Sequence, residues 1–254
     1  MTDPVRASRR RPGFGAAVAF LTRIPVGPPA AGDWRLADAA WAFPLVGAGI
    51  GAVAAFVFVV AQLVGLGDWP PALLAVLGGL LLTGAIHEDG LADAADGLLG
   101  AHDRERKLAI MRDSRHGSYG VLAIVLSVGL RAAALAQIGE AVHAGLALIA
   151  AHAVSRAMLP SVMRALPPAR DDGLGAAAGK PRAAAVITAA GIAVVIGLTA
   201  LGPSRGAVAL GLAAGVVFAA AALVRRQIGG YTGDVLGAFQ QIAETVMLLA
   251  AAAR

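Results

Sequence analysis

Apolar residues in this chain come in seven long runs, and the polar residues gather between the runs instead of alternating with them. The runs cover 43–66, 69–86, 119–138, 142–162, 183–201, 207–224 and 235–253. Each has the length of about 20 residues that a helix needs to cross a bilayer's hydrocarbon core. The pattern predicts an all-α fold: a polytopic integral membrane helical bundle of about seven transmembrane helices. Short breaks such as Gly67-Asp68, Gly139-Glu140-Ala141 and Gly202-Pro203-Ser204-Arg205-Gly206 predict tight helical hairpins, because Gly and Pro punctuate helices. Longer polar segments remain at 87–118, 163–182 and 225–234. With neither a solenoid repeat nor a low-complexity linker, residues 1–254 are expected to form one membrane domain.

Composition strengthens this reading. The chain is 58% apolar and 15% charged, with a mean hydropathy of +0.74, against about 25% charged residues in soluble domains. The net charge of +5 invites a nucleic-acid reading, but aromatics are only 5% and offer no platform for stacking bases; no nucleic-acid partner is expected. The absence of cysteine excludes thiolate metal sites and disulfides. Of the 21 Lys and Arg, 17 fall in the N-terminal segment, 87–118, 163–182 and 225–234. Seven crossings put all four segments on one side, which the positive-inside rule makes cytoplasmic, with the N-terminus. Residues 1–42 then form a basic cytoplasmic or interfacial segment. Their Arg9-Arg10-Arg11 start resembles a secretion signal, but Arg23 and Pro25 interrupt a short apolar run and no small-residue cleavage site follows.

The acids are distributed less evenly. Segment 87–118 holds seven of the sixteen, beginning His87-Glu88-Asp89-Gly90-Leu91-Ala92-Asp93-Ala94-Ala95-Asp96-Gly97. On a helix, Asp89, Asp93 and Asp96 share one face within roughly 60° of arc. Like charges so placed repel, and a hard cation relieves that repulsion; carboxylate oxygens suit magnesium. A solvated helix end would usually mix basic residues among the acids, yet none occurs before Arg104. Zinc fits less well, since Leu91 stands where H-E-x-x-H needs its second histidine.

Two further clusters open apolar runs. Asp113-Ser114-Arg115-His116-Gly117-Ser118-Tyr119-Gly120 suits an anion at a helix N-terminus, although Ser and Gly are also ordinary capping residues. Gly229-Gly230-Tyr231-Thr232-Gly233-Asp234 is a flexible turn in which Asp234 could be a simple N-cap. Gln240, Gln241 and Glu244 follow inside an apolar run, and an intramembrane charge is a functional candidate. His152 and Arg156, four apart, could instead pair with Glu244 structurally. Gly47-x-x-x-Gly51 reads as close helix packing. His102, His116 and His143 receive no role.

Taken together, these motifs resemble the membrane-bound cobalamin synthases, the adenosylcobinamide-GDP ribazoletransferases. The resemblance runs through Phe20-Leu21-Thr22-Arg23-Ile24-Pro25-Val26, Phe43-Pro44-Leu45-Val46-Gly47, the block from His87 to Gly97, Asp113-Ser114-Arg115, Gly230-Tyr231-Thr232-Gly233-Asp234, Gln240-Gln241 and Glu244, with Ser155-Arg156 weaker. It implies that α-ribazole, or its 5′-phosphate, displaces GMP from adenosylcobinamide-GDP with magnesium as cofactor, at the cytoplasmic face of a bacterial inner membrane. On that basis Asp89, Asp93 and Asp96, with Glu88 beside them, are the expected magnesium ligands. His87, Asp93 and Asp96 are the expected catalytic groups, His87 or an acid taking the hydroxyl proton. Arg115 and Arg23 are expected on diphosphate oxygens, and Asp113, Ser114, Tyr231, Thr232, Asp234, Gln241 and Glu244 around the substrates. The oligomeric state stays open, a homo-oligomer included.

Rival readings fit less of the chain. A CDP-alcohol phosphatidyltransferase shares Asp93-x-x-Asp96-Gly97, but Leu98-Leu99-Gly100-Ala101 follows where an Ala-Arg is needed. A secondary transporter would show paired, interrupted repeats, and a scaffold would leave the acidic cluster unexplained.

Overall fold

A computed structural model describes residues 13–26, 35–113 and 115–253, apart from the Leu174 side chain. Among the described residues, eleven α-helices follow in order: α1 (Phe14–Leu21), α2 (Phe43–Leu63), α3 (Trp69–Thr83), α4 (Ile86–Gly100), α5 (Arg104–Ile110), α6 (Ser118–Ile138), α7 (Ala141–Ala165), α8 (Gly173–Ala177), α9 (Ala183–Leu201), α10 (Pro203–Ile228) and α11 (Gly233–Ala252). A 3-10 helix, Leu36–Ala42, leads directly into α2. Six of the helices are long and apolar enough to cross a membrane, and the bent pair α3–α4 makes a seventh candidate span. The protein is a polytopic membrane helical bundle.

Side-chain burial sorts the helices into layers. In the most apolar stretch of α7, 78% of residues are buried, against 17% in α9. The outer helices therefore present Leu, Val, Ile and Phe outward, as contact with lipid requires. Small residues let the inner helices approach. A Cβ on Gly47 or Gly51 would strike the α7 backbone at His152 or Leu148, the close packing expected of small-x-x-x-small spacing.

Two ends of the bundle are distinguishable. At one, the Gln62 amide donates to the Gly139 carbonyl and the Gln137 amide to the Ala252 carbonyl, while Glu140 caps α7 through the N–H groups of Val142 and His143. At the other, Arg104 donates to the carbonyls of Ile228 and Ala169, and Ala37 N–H to that of Ala178. Backbone bonds in both directions also join 167–169 to Tyr231 there. The described parts of the four basic segments meet at this second end.

Two boundaries differ from the expected pattern. The second apolar run does not continue straight to Ile86. Gly84 (φ +68) and Ala85 (φ +57) are both left-handed, and the axis turns by 92° between α3 and α4. Glycine takes that conformation freely, whereas Ala85 costs about 1–2 kcal/mol in it. The segment 225–234, read as a loop, is helical through Ile228, so Arg225 and Arg226 lie in the last turn of α10. Basic side chains there complement the helix dipole.

Candidate active site

The bend at Gly84-Ala85 aims α4 across the basic end, where it packs between α6 and α11. A Cβ on Gly90 would meet the Asp234 carbonyl, and one on Gly237 would meet the backbone of His87 and Gly90. The two helices thus touch backbone to backbone. Their contact brings the acids of α4 beside the Tyr-Thr-Gly-Asp turn that opens α11, some 140 residues later in the chain.

The aspartates on one face of α4 have different partners. One ligand atom each from Asp89, Asp93 and His116 lies within 4.8 Å of the others. His116 Nδ1 is 3.5 Å from Asp93 Oδ1, and Nε2 is 3.8 Å from Asp89 Oδ1. Asp96 is not brought into that cluster. Its Oδ1 accepts the Gly120 N–H at 2.9 Å and its Oδ2 the Gly117 N–H at 2.6 Å. It binds the N-terminus of α6, where unpaired N–H groups and the helix dipole favour an anion. Glu88 is also directed elsewhere, one position round the helix and into the bundle interior. Its Oε1 accepts from Arg131 Nη2 at 3.1 Å and from Gln241 Nε2 at 2.8 Å. Of the four expected metal ligands, the structure therefore assembles two, Asp89 and Asp93.

Glu88 belongs to a buried polar network. Arg131 Nη1 donates to Glu244 Oε1 at 2.8 Å, while Arg156 Nη1, His152 Nδ1 and Gln240 Nε2 lie 3.3, 2.9 and 2.6 Å from Glu244 Oε2. The Ser127 hydroxyl donates to the side-chain Oε1 of Gln241. Two arginines face two glutamates, so the network balances without counting the histidines. Removing one partner from such a set leaves a buried charge and costs about 3–5 kcal/mol. Gln241 and Glu244, expected near substrate, instead tie α4, α6, α7 and α11 together. This is the structural pairing left open for His152 and Arg156.

A cavity of about 360 Å³ opens beside these groups, within the range of small-molecule sites. Phe20, Leu36, Phe43, Leu159, Met163 and Leu236 make its apolar wall; His87, Asp89, Arg112, Arg170, Asp172, Tyr231, Thr232 and Asp234 make its polar wall. His87 is buried and its Nδ1 has no partner among the described residues. Thr232 caps α11 through the Val235 N–H and donates to Asp234 Oδ2 at 3.1 Å. The Tyr231 hydroxyl donates to the Gly175 carbonyl, fixing α8 against the turn.

Such a wall, with carboxylates and guanidinium groups on one side and hydrocarbon on the other, suits a ligand carrying both phosphate and a flat or apolar body. The family profile for cobalamin-5-phosphate synthase matches residues 13–252. The chain belongs to that family. It is similar to curated relatives named adenosylcobinamide-GDP ribazoletransferase. One from Bradyrhizobium diazoefficiens is 50% identical over 241 residues, 93% of this chain and 92% of the relative. Another, from Azorhizobium caulinodans, is 46% identical over 255 residues, covering 96% and 97%. No solved structure matches the chain.

The remaining expected residues divide between wall and surface. Tyr231, Thr232 and Asp234 line the cavity. Arg115 does not: its side chain is 87% exposed and both its Nε and Nη2 bond Asp113. Those bonds pull the Asp113 carboxyl down to about 2, so the pair stays ionised at neutral pH. Arg23 lies against Gly84 at the bend, its N–H bonded to the Leu82 carbonyl. Ser114 falls outside the described residues. Sequence reasoning gave no role to Arg112, Arg131, Arg170 or His116. Arg170 carried a weak signal, as a basic residue beside Asp171-Asp172-Gly173 in a basic segment. Arg131 carried a stronger one, as a charge inside an apolar run.

Proposed function

We propose that this protein is an adenosylcobinamide-GDP ribazoletransferase of a bacterial inner membrane, with its cavity on the cytoplasmic side. The ribose hydroxyl of α-ribazole, or of its 5′-phosphate, attacks the phosphorus attached to cobinamide. The diphosphate P–O bond breaks, GMP leaves, and adenosylcobalamin or its phosphate is formed. The observation that carries this reading is the family match over residues 13–252, together with relatives of that name at 46–50% identity over nearly the whole chain.

The donor set suits magnesium. Asp89 and Asp93 offer two carboxylates, and magnesium typically takes one or two such ligands plus substrate phosphates. Bound there, the metal would supply charge neutralisation for the diphosphate and the leaving phosphate. Reactions of this kind ask a protein mainly for positioning and electrostatics. In this reading the chain's own groups do four things. Asp89 and Asp93 hold the cation, and His116 beside them offers it a ring nitrogen. His87, buried on the cavity wall, takes the proton of the attacking hydroxyl. The apolar wall at Phe20, Phe43 and Leu236 receives the flat base of α-ribazole and excludes water. The corrinoid, far larger than about 360 Å³, stays outside with only its diphosphate arm reaching in.

The test is GMP release by protein purified in detergent and returned to liposomes, supplied with adenosylcobinamide-GDP and α-ribazole. Release should require both substrates, stop with excess EDTA, and return when magnesium exceeds the chelator. Turnover unaffected by chelation would remove the metal assignment, and no release under any condition would remove the function.

A further inference from the structure

The cavity's acidic side poses an electrostatic problem that the carboxylates cannot solve. Asp89, Asp172 and Asp234 line it and Asp93 is adjacent, so a diphosphate entering there meets like charge. The cations expected on the diphosphate, Arg115 and Arg23, are not on the wall. Two others are, Arg112 and Arg170.

Their bonding leaves them able to take an anion. Arg170 lies in the loop after α7, and its side chain is only 15% exposed. It donates from Nη2 to Asp234 Oδ2 at 2.9 Å. A guanidinium has five N–H groups, and this one uses a single bond among the described residues. Asp234 therefore orients the arginine without consuming it. Asp234 is itself held by Thr232 and by the α4–α11 contact, so the guanidinium is pre-positioned by rigid elements. Arg112 donates from Nη2 to both Asp172 oxygens and is about half exposed, at the cavity's outer edge. A planar, partly buried arginine with free N–H groups suits phosphate oxygens better than a lysine does.

We propose that Arg170 is the principal diphosphate-binding residue of this cavity, oriented by Asp234, with Arg112 as a second, outer cation that meets the nucleotide phosphate. This deepens the transferase reading and rests on it for the identity of the substrate. The phosphate-binding chemistry itself does not depend on turnover.

GDP binding to purified protein with magnesium, measured by equilibrium dialysis, tests the assignment without requiring the reaction. Wild-type protein should bind GDP. Arg170→Gln should weaken that binding about 10- to 100-fold, the effect of losing charged hydrogen bonds, and should raise KM for adenosylcobinamide-GDP to match while KM for α-ribazole stays within about twofold. Arg170→Lys should recover part of the loss, because it keeps the charge and the Asp234 contact. It also serves as the readout if the Gln variant does not fold, as judged by thermal unfolding. Unchanged GDP binding in a folded Arg170→Gln protein would overturn the proposal, as would wild-type protein that binds no GDP, or a loss falling equally on both substrates. An active wild type with such an outcome sinks only the arginine assignment; an inactive wild type that binds GDP through Arg170 sinks only the transferase reading.

Discussion

Asp93 shows how one side chain can be chemically distinct from near-identical neighbours on its helix. Asp89, four residues earlier, has a side chain 64% exposed, while that of Asp93 is 15% exposed and Asp96 spends its oxygens on α6. Of the two acids facing His116, Asp93 is thus the more enclosed, and neither it nor Asp89 has a structural hydrogen-bond duty among the described residues. Asp93→Asn keeps shape and removes charge. It should lower kcat/KM by at least about 100-fold, since even residues supporting a metal ligand contribute 10–100-fold, while the unfolding temperature stays near wild type. A variant with normal turnover in the GMP-release assay would defeat the metal site. The spacing of Asp89 and Asp93 was legible in the sequence because it follows helical phase alone. Which acid binds what was not: Glu88 and Asp96 have the same local signature, and only α6 and α11 decide that they serve packing.

At the scale of elements, the site depends on one crossing. Helices α4 and α11 meet at Gly90 and Gly237, each of which excludes any larger side chain from the other's backbone. The helices were legible from apolar runs, and Gly47-Gly51 packing from small-residue spacing. The Gly90–Gly237 contact was not, because its two glycines lie far apart in sequence and Gly90 has no glycine four residues away, so the Gly233-x-x-x-Gly237 spacing marks only the α11 side. The 92° bend was hidden too, since hydropathy is blind to the left-handed Ala85. Gly237→Val should push α11 from α4 at a cost of about 1–3 kcal/mol for overpacking. Because that displacement separates Asp89 from Asp234, kcat/KM should fall more steeply than stability. A Gly237→Val protein losing several degrees in unfolding temperature but retaining full turnover would show that the crossing does not set the site.

The whole molecule combines an apolar exterior, a buried polar interior and one charged end, and these three features constrain each other. The network centred on Arg131, Glu88, Glu244 and Arg156 lies between helices and away from the outer faces. There it can fix four helices without exposing charge to hydrocarbon. The cavity and 13 of the 16 described basic residues then fall at the end where α4 turns, so placing the site in the cell reduces to placing that end. Lys and Arg excess on short loops predicts that it is cytoplasmic, the compartment in which a GDP-linked substrate and magnesium would be met. The chain's lack of cysteine makes this directly measurable. His102→Cys, exposed just beyond α4, and Gly67→Cys, exposed between α2 and α3, each supply one reactive thiol at opposite ends of the bundle. A membrane-impermeant maleimide should label Cys at 67 in intact spheroplasts and Cys at 102 only in inverted vesicles or after permeabilisation. The reverse pattern would put Asp89, Asp93 and Arg170 outside the cell, where the proposed substrates and the charge bias of the loops would both be on the wrong side.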